Sequence, residues 1–373
     1  MPLVLRVDPE RPNPEAIAQA AAAIRRGDLV GMPTETVYGL AGDALNPAAI
    51  ARIYAAKGRP SHNPLIAHVA DREQARRYAS HWPHQAEALA ARFWPGPLTL
   101  VVRRSPEVPD ELTAGLDTVG LRVPHHPVAL ALIRAVGRPL AAPSANRFTE
   151  VSPVTAEQVA RGLGAGVSLI LDAGRTEVGI ESTVVAVTGD GVTLLRPGMI
   201  HRHMLEEVVG PVRLAATATS EDAPRPAPGM TPRHYAPRAR LRIVSASVLR
   251  ELARGASGPP GEGAVGAPGA SEKRGSVGGA GSVSPWGAVT WSIPVPSGVT
   301  FGRRLPSSAG AYASELYDAL HAADHAGCAE LLVEAVPESR EWDAVRDRLT
   351  RAAHPAAPAP EAQSSEPGGS GQP

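Results

Sequence analysis

The first two hundred residues carry two alternating hydrophobic patterns, one helical and one extended. Asn13 followed by Pro14 supplies an N-cap and a first-turn proline. An alanine-rich stretch runs from there to Arg26, and Gly27 stops it. Asn46 and Pro47 repeat the device, predicting a helix through Ala56 that ends at Gly58. Short apolar runs bounded by glycine or proline, at 98–102, 120–123, 168–171 and 183–187, read as strands. Helices interspersed with many short strands predict an α/β or α+β domain and leave the strand order open.

From Ala215 to about Arg240 the pattern dissolves around Pro224, Pro226, Pro228, Pro232 and Pro237, a linker in the proline-stiffened regime. A second, smaller α/β unit follows. Its expected elements are a strand at 241–244, a helix to about Arg254, a strand at 288–295, a helix at 311–323 with Leu316 and Leu320 one turn apart, a buried strand at 329–336, and a helix carrying Trp342, Val345 and Leu349. Residues 255–285 and the tail after His354 are dominated by Gly, Ala, Ser and Pro, too apolar-poor to form a core, and are expected to be disordered.

Composition narrows the classes. A chain of 373 residues with 43% hydrophobic side chains can build two cored domains. With 37 basic and 37 acidic residues its formal charge is zero, which argues against a surface coated for nucleic acid or membrane and leaves room for a local cationic pocket. The lone Cys328 excludes intramolecular disulfides and cysteine-rich zinc sites. No apolar run has the length of a membrane span and no secretory leader pattern opens the chain, so a cytoplasmic location is the expectation. The only lysines are Lys57 and Lys273, so a lysine at position 57 stands out against an arginine-rich background.

The familiar nucleophile and metal signatures are missing: no Walker loop, no G-x-S-x-G elbow, no H-E-x-x-H. Gly162, Gly164 and Gly166 mimic a dinucleotide loop without the strand before and helix after that such a loop needs, and read as a turn and cap. His201 and His203 flank Arg202 without carboxylate company and read as a solvated helix start. What remains is a series of polar clusters held between glycine and proline: 33–40; Lys57 and Arg59 with 63–68; 94–97; Thr118 with 120–124; 143–146; 181–183; and 196–198. Lys57, Arg59, Arg122 and Arg196, with the hydroxyls of Ser144, Ser182 and Thr183, compose a receptor for a polyanion, lysine as a point charge and arginine as a fork. Each cluster alone has a plainer reading. Lys57 at a helix end favours the dipole, threonine and serine between proline and glycine are ordinary turn residues, Asn146 can cap a helix, and Trp94 can pack a corner.

In this order, the segments 33–40, Lys57/Arg59 with 63–68, 93–99, 121–124, 143–146, 182–184 and 196–198 resemble the threonylcarbamoyl-AMP synthases of the YrdC/Sua5 type. Residues 227–237, with Arg233, His234, Tyr235, Ala236 and Pro237, resemble the segment joining the domains of the longer Sua5 form, and 316–351 is similar to that form's small Rossmann-like domain. The resemblance implies a YrdC-like twisted mixed-sheet α/β domain over 1–212, a proline-rich linker or lid over 213–240, a Sua5-type C-terminal domain over 241–353 carrying the insertion 255–285, and a tail over 354–373.

It also implies a nucleotidyltransferase reaction in which L-threonine, bicarbonate or CO2, and ATP give threonylcarbamoyl-adenylate and pyrophosphate, for the threonylcarbamoyl-adenosine modification of tRNA. Such chemistry requires positioning and charge neutralisation and no protein nucleophile. Carried onto this sequence, Lys57 and Arg59 would hold the ATP phosphates, with Asn63, Thr118, Ser144, Ser152 and Arg196 completing the nucleotide site and Tyr235 closing over it as part of a lid. Thr34, Thr36, His68, Arg122, Ala142 and Ser182 would cradle threonine, with Arg122 facing its carboxylate. Magnesium is expected on ATP with no dedicated protein site. Implied partners are the small-molecule substrates, transient contact with the tRNA threonylcarbamoyl-transferase complex and weak tRNA binding, and no membrane. Two other readings stay open: a non-catalytic RNA-binding module with a cationic cleft, and a carbamoyl-adenylate domain of hydrogenase-maturation type, whose usual acylphosphatase and zinc-finger companions this chain lacks.

Overall fold

The computed structural model describes residues 1–189, 191–215, 231–254 and 285–355. The linker residues 216–230, the insertion 255–285 apart from Pro285, and the tail after Pro355 lie outside the described residues.

The first domain contains strands β1 (Leu3–Arg6), β2 (Val30–Met32), β3 (Gly39–Asp43), β4 (Ile66–His68), β5 (Leu98–Arg103), β6 (Thr118–Arg122), β7 (Leu140–Ala141), β8 (Leu169–Asp172), β9 (Thr183–Thr188), β10 (Gly191–Arg196) and β11 (Val212–Leu214). They form one mixed sheet in the order β1-β8-β2-β3-β7-β4-β6-β5-β9-β10-β11. Its helices are α1 (Pro14–Arg25), α2 (Pro47–Lys57), α3 (Arg72–Arg77), α4 (His84–Phe93), α5 (Asp110–Thr113), α6 (Pro127–Val136), α7 (Ala156–Leu163) and α8 (Arg202–Val209). The capping signals act as expected: the Asn13 side chain accepts from the Glu15 amide at 2.8 Å, and Asn46 accepts from Ala48 at 3.0 Å. At the end of α2, Gly58 takes φ +61°, a left-handed conformation open to glycine and costly for most residues, which turns the chain from Lys57 toward Arg59.

The second domain has strands β12 (Arg240–Val244), β13 (Trp286–Thr290), β14 (Phe301–Arg304) and β15 (Glu330–Glu334), all parallel, in the order β12-β15-β13-β14. Its helices are α9 (Ala246–Arg254), α10 (Ala309–His325) and α11 (Asp343–Ala353). Three differences from the sequence reading stand out. The chain pairs with the first sheet as far as Leu214 rather than leaving it at 212, because Val212–Leu214 line up parallel with β10. The strand expected at 288–295 stops at Thr290, where the Glu334 carboxylate takes the amides of Trp291 and Ser292 out of the ladder. The polar strand β14, Phe-Gly-Arg-Arg, had no apolar signal to reveal it. The glycine run at 162–166 is the end of α7 and a 3-10 turn leading into β8, which excludes a dinucleotide loop.

The domains share a core. One apolar cluster joins Val37, Val151, Val154 and Ile180 of the first domain to Tyr235 and to Tyr312, Leu316 and Tyr317 of α10. The approach is close at Gly179, where a Cβ would stand 2.5 Å from Ser314 Cα on α10. Around this seam Gln158 donates to Asp318 at 3.1 Å and Arg175 to the Ser314 carbonyl at 2.7 Å.

Candidate functional site

A cleft opens where the loops after β2, α2 and β7 meet the segment before β9 and the end of β10. Its walls include Thr34, Thr36, Arg59, His68, Arg122, Ala142, Ser144, Ser182, Arg196, His234 and Tyr235. Of the residues singled out in sequence, Lys57, Asn63, Ser152 and Thr118 do not form its wall. Thr118 stands four residues before Arg122 on β6, opposite Arg103 at the far end of the strand. The other three are buried directly behind the wall.

One end of the cavity is built from adjacent parallel strands. The register of β4 with β6 sets His68 beside Arg122. Arg122 donates through Nε to the Gly96 carbonyl at 3.2 Å and through Nη1 to Thr36 Oγ1 at 3.0 Å, while Nη2 lies 2.8 Å from Glu35 Oε2. That last approach has the distance of an ion pair without the alignment of a hydrogen bond, so Nη2 and both Glu35 oxygens keep unused hydrogen-bonding capacity. Thr34 and Thr36 share a hydroxyl contact of 2.9 Å, and Thr34 also donates to the Val37 carbonyl at 2.6 Å, which fixes the turn after β2. Burial, with Arg122 adding to it, depresses the His68 pKa to about 3, so the ring is neutral, and its Nδ1 has no partner. Ala142 closes this end: a Cβ at Gly39 would sit 3.0 Å from Ala142 Cβ.

The other end gathers the cations. Lys57 is 2% exposed and its Nζ donates to the carbonyls of Ser144 at 2.5 Å and Asn146 at 2.6 Å. Burial and the neighbouring Arg59 push its pKa well down. Here the lysine organises the 144–146 loop through the two bonds it donates. Arg59 donates to the carbonyls of Asn63 at 3.2 Å and Pro64 at 3.1 Å, and burial lowers its pKa to about 10. Asn63 leaves its Nδ2 without a partner. Arg196 grips Ser182, with Nε 3.1 Å from its carbonyl and Nη2 3.2 Å from Oγ, and Ser182 Oγ meets Thr99 Oγ1 at 2.8 Å.

The linker seals this end. Ala236 bridges Glu150 in parallel pairing, and its amide donates to the Thr149 carbonyl at 2.9 Å. Tyr235 adopts φ +58°, a left-handed conformation that costs a non-glycine residue about 1–3 kcal/mol. Its ring is buried and its hydroxyl has no partner. His234 accepts the Tyr235 amide at Nδ1, 3.1 Å away, which puts the ring proton on Nε2. Burial first, then Arg59, Lys57, Arg196 and Arg351, press its pKa well below the usual histidine range.

Two participants were absent from the sequence reading of site residues. Glu35 sits between two threonines that drew the attention, and its role under Arg122 depends on a strand pairing distant in sequence. Glu181, part of a cluster already noted, lines the cavity but owes its state to partners 136 and 167 residues away: Tyr317 Oη at 3.0 Å and Arg348 Nε at 2.8 Å, both on Oε2. Ser152 donates to its Oε1 at 2.6 Å. Burial pushes the Glu181 pKa up, and Arg348, Arg196 and the Ser152 hydrogen bond outweigh it, leaving the carboxyl ionised.

Among the described residues no group of three or more His, Cys, Asp or Glu could hold a metal, and Glu181 is committed to Arg348 and Tyr317. No helix is long and apolar enough to cross a membrane among the described residues. His201 and His203 stack at 5.7 Å at the start of α8, away from the cavity. The arrangement can bind a carboxylate at one end and a polyphosphate at the other. The cavity wall holds serine and threonine hydroxyls, and its two histidines are held neutral.

Comparison with known proteins agrees with this arrangement. A family model described as "Telomere recombination", covering Sua5, YciO and YrdC, matches residues 22–198, and one described as "Threonylcarbamoyl-AMP synthase, C-terminal domain" matches residues 200–354. A threonylcarbamoyl-AMP synthase of Bacillus subtilis is 46% identical over 239 residues, 64% of this chain and 69% of that protein. One of Pyrococcus abyssi is 48% identical over 237 residues, 63% of this chain and 69% of that protein. The crystal structure of P. abyssi Sua5 complexed with L-threonine superposes with a TM-score of 0.81 at 37% identity, covering 94% of this chain and 97% of that one.

Proposed function

The chain belongs to the two-domain Sua5 family of threonylcarbamoyl-AMP synthases, and we infer that it is an L-threonylcarbamoyladenylate synthase, a nucleotidyltransferase joining L-threonine, bicarbonate or CO2, and ATP. The observation that carries the reading is the cavity's polarity: Arg122 faces one end and Arg59 and Arg196 the other, with Ser182 between them.

In this reading Arg122, oriented by Glu35 at 2.8 Å and by Thr36, takes the threonine carboxylate. Thr34, Thr36 and the neutral His68 offer hydroxyl and ring acceptors, and Ala142 walls the methyl side. The threonine ammonium gives one proton to solvent, and the resulting amine bonds to the carbon of CO2 and releases a second proton to solvent, leaving a carbamate. A carbamate oxygen then attacks the α-phosphorus of ATP, the bond to the β-phosphate oxygen breaks, and pyrophosphate leaves. Arg59 and Arg196 offset the charge that moves onto the leaving group, Ser144, Asn63 and Ser152 support the nucleotide, and Lys57 supplies charge from behind while holding the 144–146 loop. Tyr235 covers the nucleotide with its unpartnered hydroxyl. Magnesium enters on the ATP phosphates as part of the substrate. The contribution of Thr118, at the far end of β6, would be through a nucleotide extending past the cavity wall. The adenylate then serves tRNA modification in the cytoplasm, with transient contact to the tRNA threonylcarbamoyl-transferase complex and weak tRNA binding.

The test is pyrophosphate release by the purified chain with ATP, magnesium and bicarbonate, with threonine, serine or valine, or no amino acid. Release that needs both threonine and bicarbonate is expected. Equal release without threonine would sink the reading.

A further inference from the structure

The reaction just described uses the first domain and the linker, and leaves unexplained why a buried arginine of the second domain reaches into that site. Arg348, on α11, is among the largest fully buried side chains of the protein. Besides the Nε contact to Glu181 Oε2, its Nη2 reaches the Glu181 carbonyl at 3.4 Å, Nη1 donates to Asp347 at 2.6 Å, and its guanidinium lies 5.0 Å over the Tyr235 ring. From α10, Tyr317 donates to the same Oε2 and stacks at 5.8 Å on Tyr235, while His321 Nε2 lies 3.1 Å from the Ser152 carbonyl. A seam that needed only adhesion could be closed by apolar side chains at lower desolvation cost than a buried ion pair. Apart from the bond between Arg348 and its neighbour Asp347, these polar contacts all end on Glu181, on Ser152 that donates to it, or on Tyr235. Glu181 is bonded in sequence to Ser182, which Arg196 and Thr99 hold at the centre of the cavity.

We propose that Arg348 and Tyr317 are positioning residues of the synthase reaction: through Glu181 and Tyr235 they fix the corner carrying Ser182, so the second domain completes the active site. The inference rests on the proposed function for its kinetic consequences and on the geometry alone for its structural ones. The groups facing Glu181 are Arg348, with Asp347 behind it, from α11; Tyr317 from α10; Tyr235 from the linker; Arg196 from β10; and Lys57 from α2. Arg348 is the foremost of those that keep the carboxyl ionised against burial. A neutral side chain there would let Glu181 take up a proton at higher pH, and a lysine would not.

The experiment uses the full chain with Tyr317→Phe, Arg348→Lys and Arg348→Met, the last also combined with Glu181→Gln so that no unpaired buried charge threatens folding. Amide hydrogen exchange of residues 180–183 and the kinetics with threonine are measured on each, beside the unfolding midpoint. Losing a hydrogen bond to a charged group predicts exchange at 180–183 faster by about tenfold in Tyr317→Phe, with KM for threonine raised by about the same factor. The acid limb of kcat/KM should move to higher pH in Arg348→Met and stay in place in Arg348→Lys. Should the wild type show no threonine-dependent release, the functional reading fails and the exchange data alone decide this one. Unchanged exchange at 180–183 in Tyr317→Phe and Arg348→Met would overturn the proposal, as would variants whose midpoints fall while KM and pH profile stay those of the wild type.

Discussion

The two ends of the cavity are held by different means. The end carrying Arg122 is supported wholly within the first domain: parallel strands set Arg122 beside His68, Glu35 lies beneath the guanidinium, and the Thr34 turn closes on itself. The end carrying Glu181, His234 and Tyr235 is held by the linker and by α10 and α11 of the second domain. The end carrying Arg122 is therefore built into one sheet, while the end carrying Glu181 and Tyr235 is assembled when three segments distant in sequence dock together. A small amino acid is suited by a fixed pocket, and a large nucleotide by an end that can be covered after it enters.

The variant that strikes the fixed end hardest is Arg122→Ala. It leaves Glu35 buried without its cation, which should lower unfolding free energy by about 3–5 kcal/mol and abolish threonine-dependent release. The double variant Arg122→Met with Glu35→Gln removes both charges and should recover most of the urea midpoint but none of the turnover. Turnover in that double variant would show that the fixed end does not read the carboxylate through Arg122.

At the assembled end, Lys57→Met orphans the carbonyls of Ser144 and Asn146 and should cost about 1.5–3 kcal/mol, together with a loss of ATP-dependent turnover. Wild-type urea stability with turnover lost would mean that Lys57 acts on the nucleotide alone.

Acid should weaken both ends. His68 has a folded pKa of about 3 against an ordinary 6.5, and His234 is likewise depressed, so below about pH 6.5 the unfolded chain binds protons that the folded chain refuses. The stability these neutral rings contribute is present above pH 6.5 and falls with pH by up to about 1.4 kcal/mol per unit for each ring, down toward pH 3 for His68. Urea midpoints at pH 7, 6 and 5 should show that slope, and His68→Gln and His234→Gln should each flatten it. An unchanged slope in both would contradict the buried neutral assignments.

The smallest effect on stability belongs to Tyr235→Phe. Its hydroxyl is buried without a partner, so removing it should leave the midpoint unchanged or raise it by about 1 kcal/mol, while KM for ATP rises. A clear loss of stability would mean that the hydroxyl holds the closed linker rather than the nucleotide.

Much of the first domain was legible because its signals are local. Asn13 and Asn46 before prolines fix the starts of α1 and α2, Gly58 fixes an end, and the apolar runs at 98–102 and 183–187 lie within β5 and β9. Those residues and the polar clusters between glycine and proline also marked where the loops of the cavity would be. The polar β14 escaped because Arg303 and Arg304 carry no strand pattern. The Glu35–Arg122 and Glu181–Arg348 pairs escaped because the partners are separated by 87 and 167 residues and meet only through strand register and domain docking. Lys57 was conspicuous as a lysine among arginines, but its bonds to Ser144 and Asn146 required the fold.

The central claim is that one cavity joins a carboxylate-held threonine to a nucleotide through carbon dioxide. It is tested most directly by mass spectrometry of the product formed from carbon-13 bicarbonate, threonine and magnesium ATP. The account predicts an adenylate that carries both the threonine and one labelled carbon, formed in equal amount with pyrophosphate. Nucleotide products lacking either the threonine or the label would contradict it.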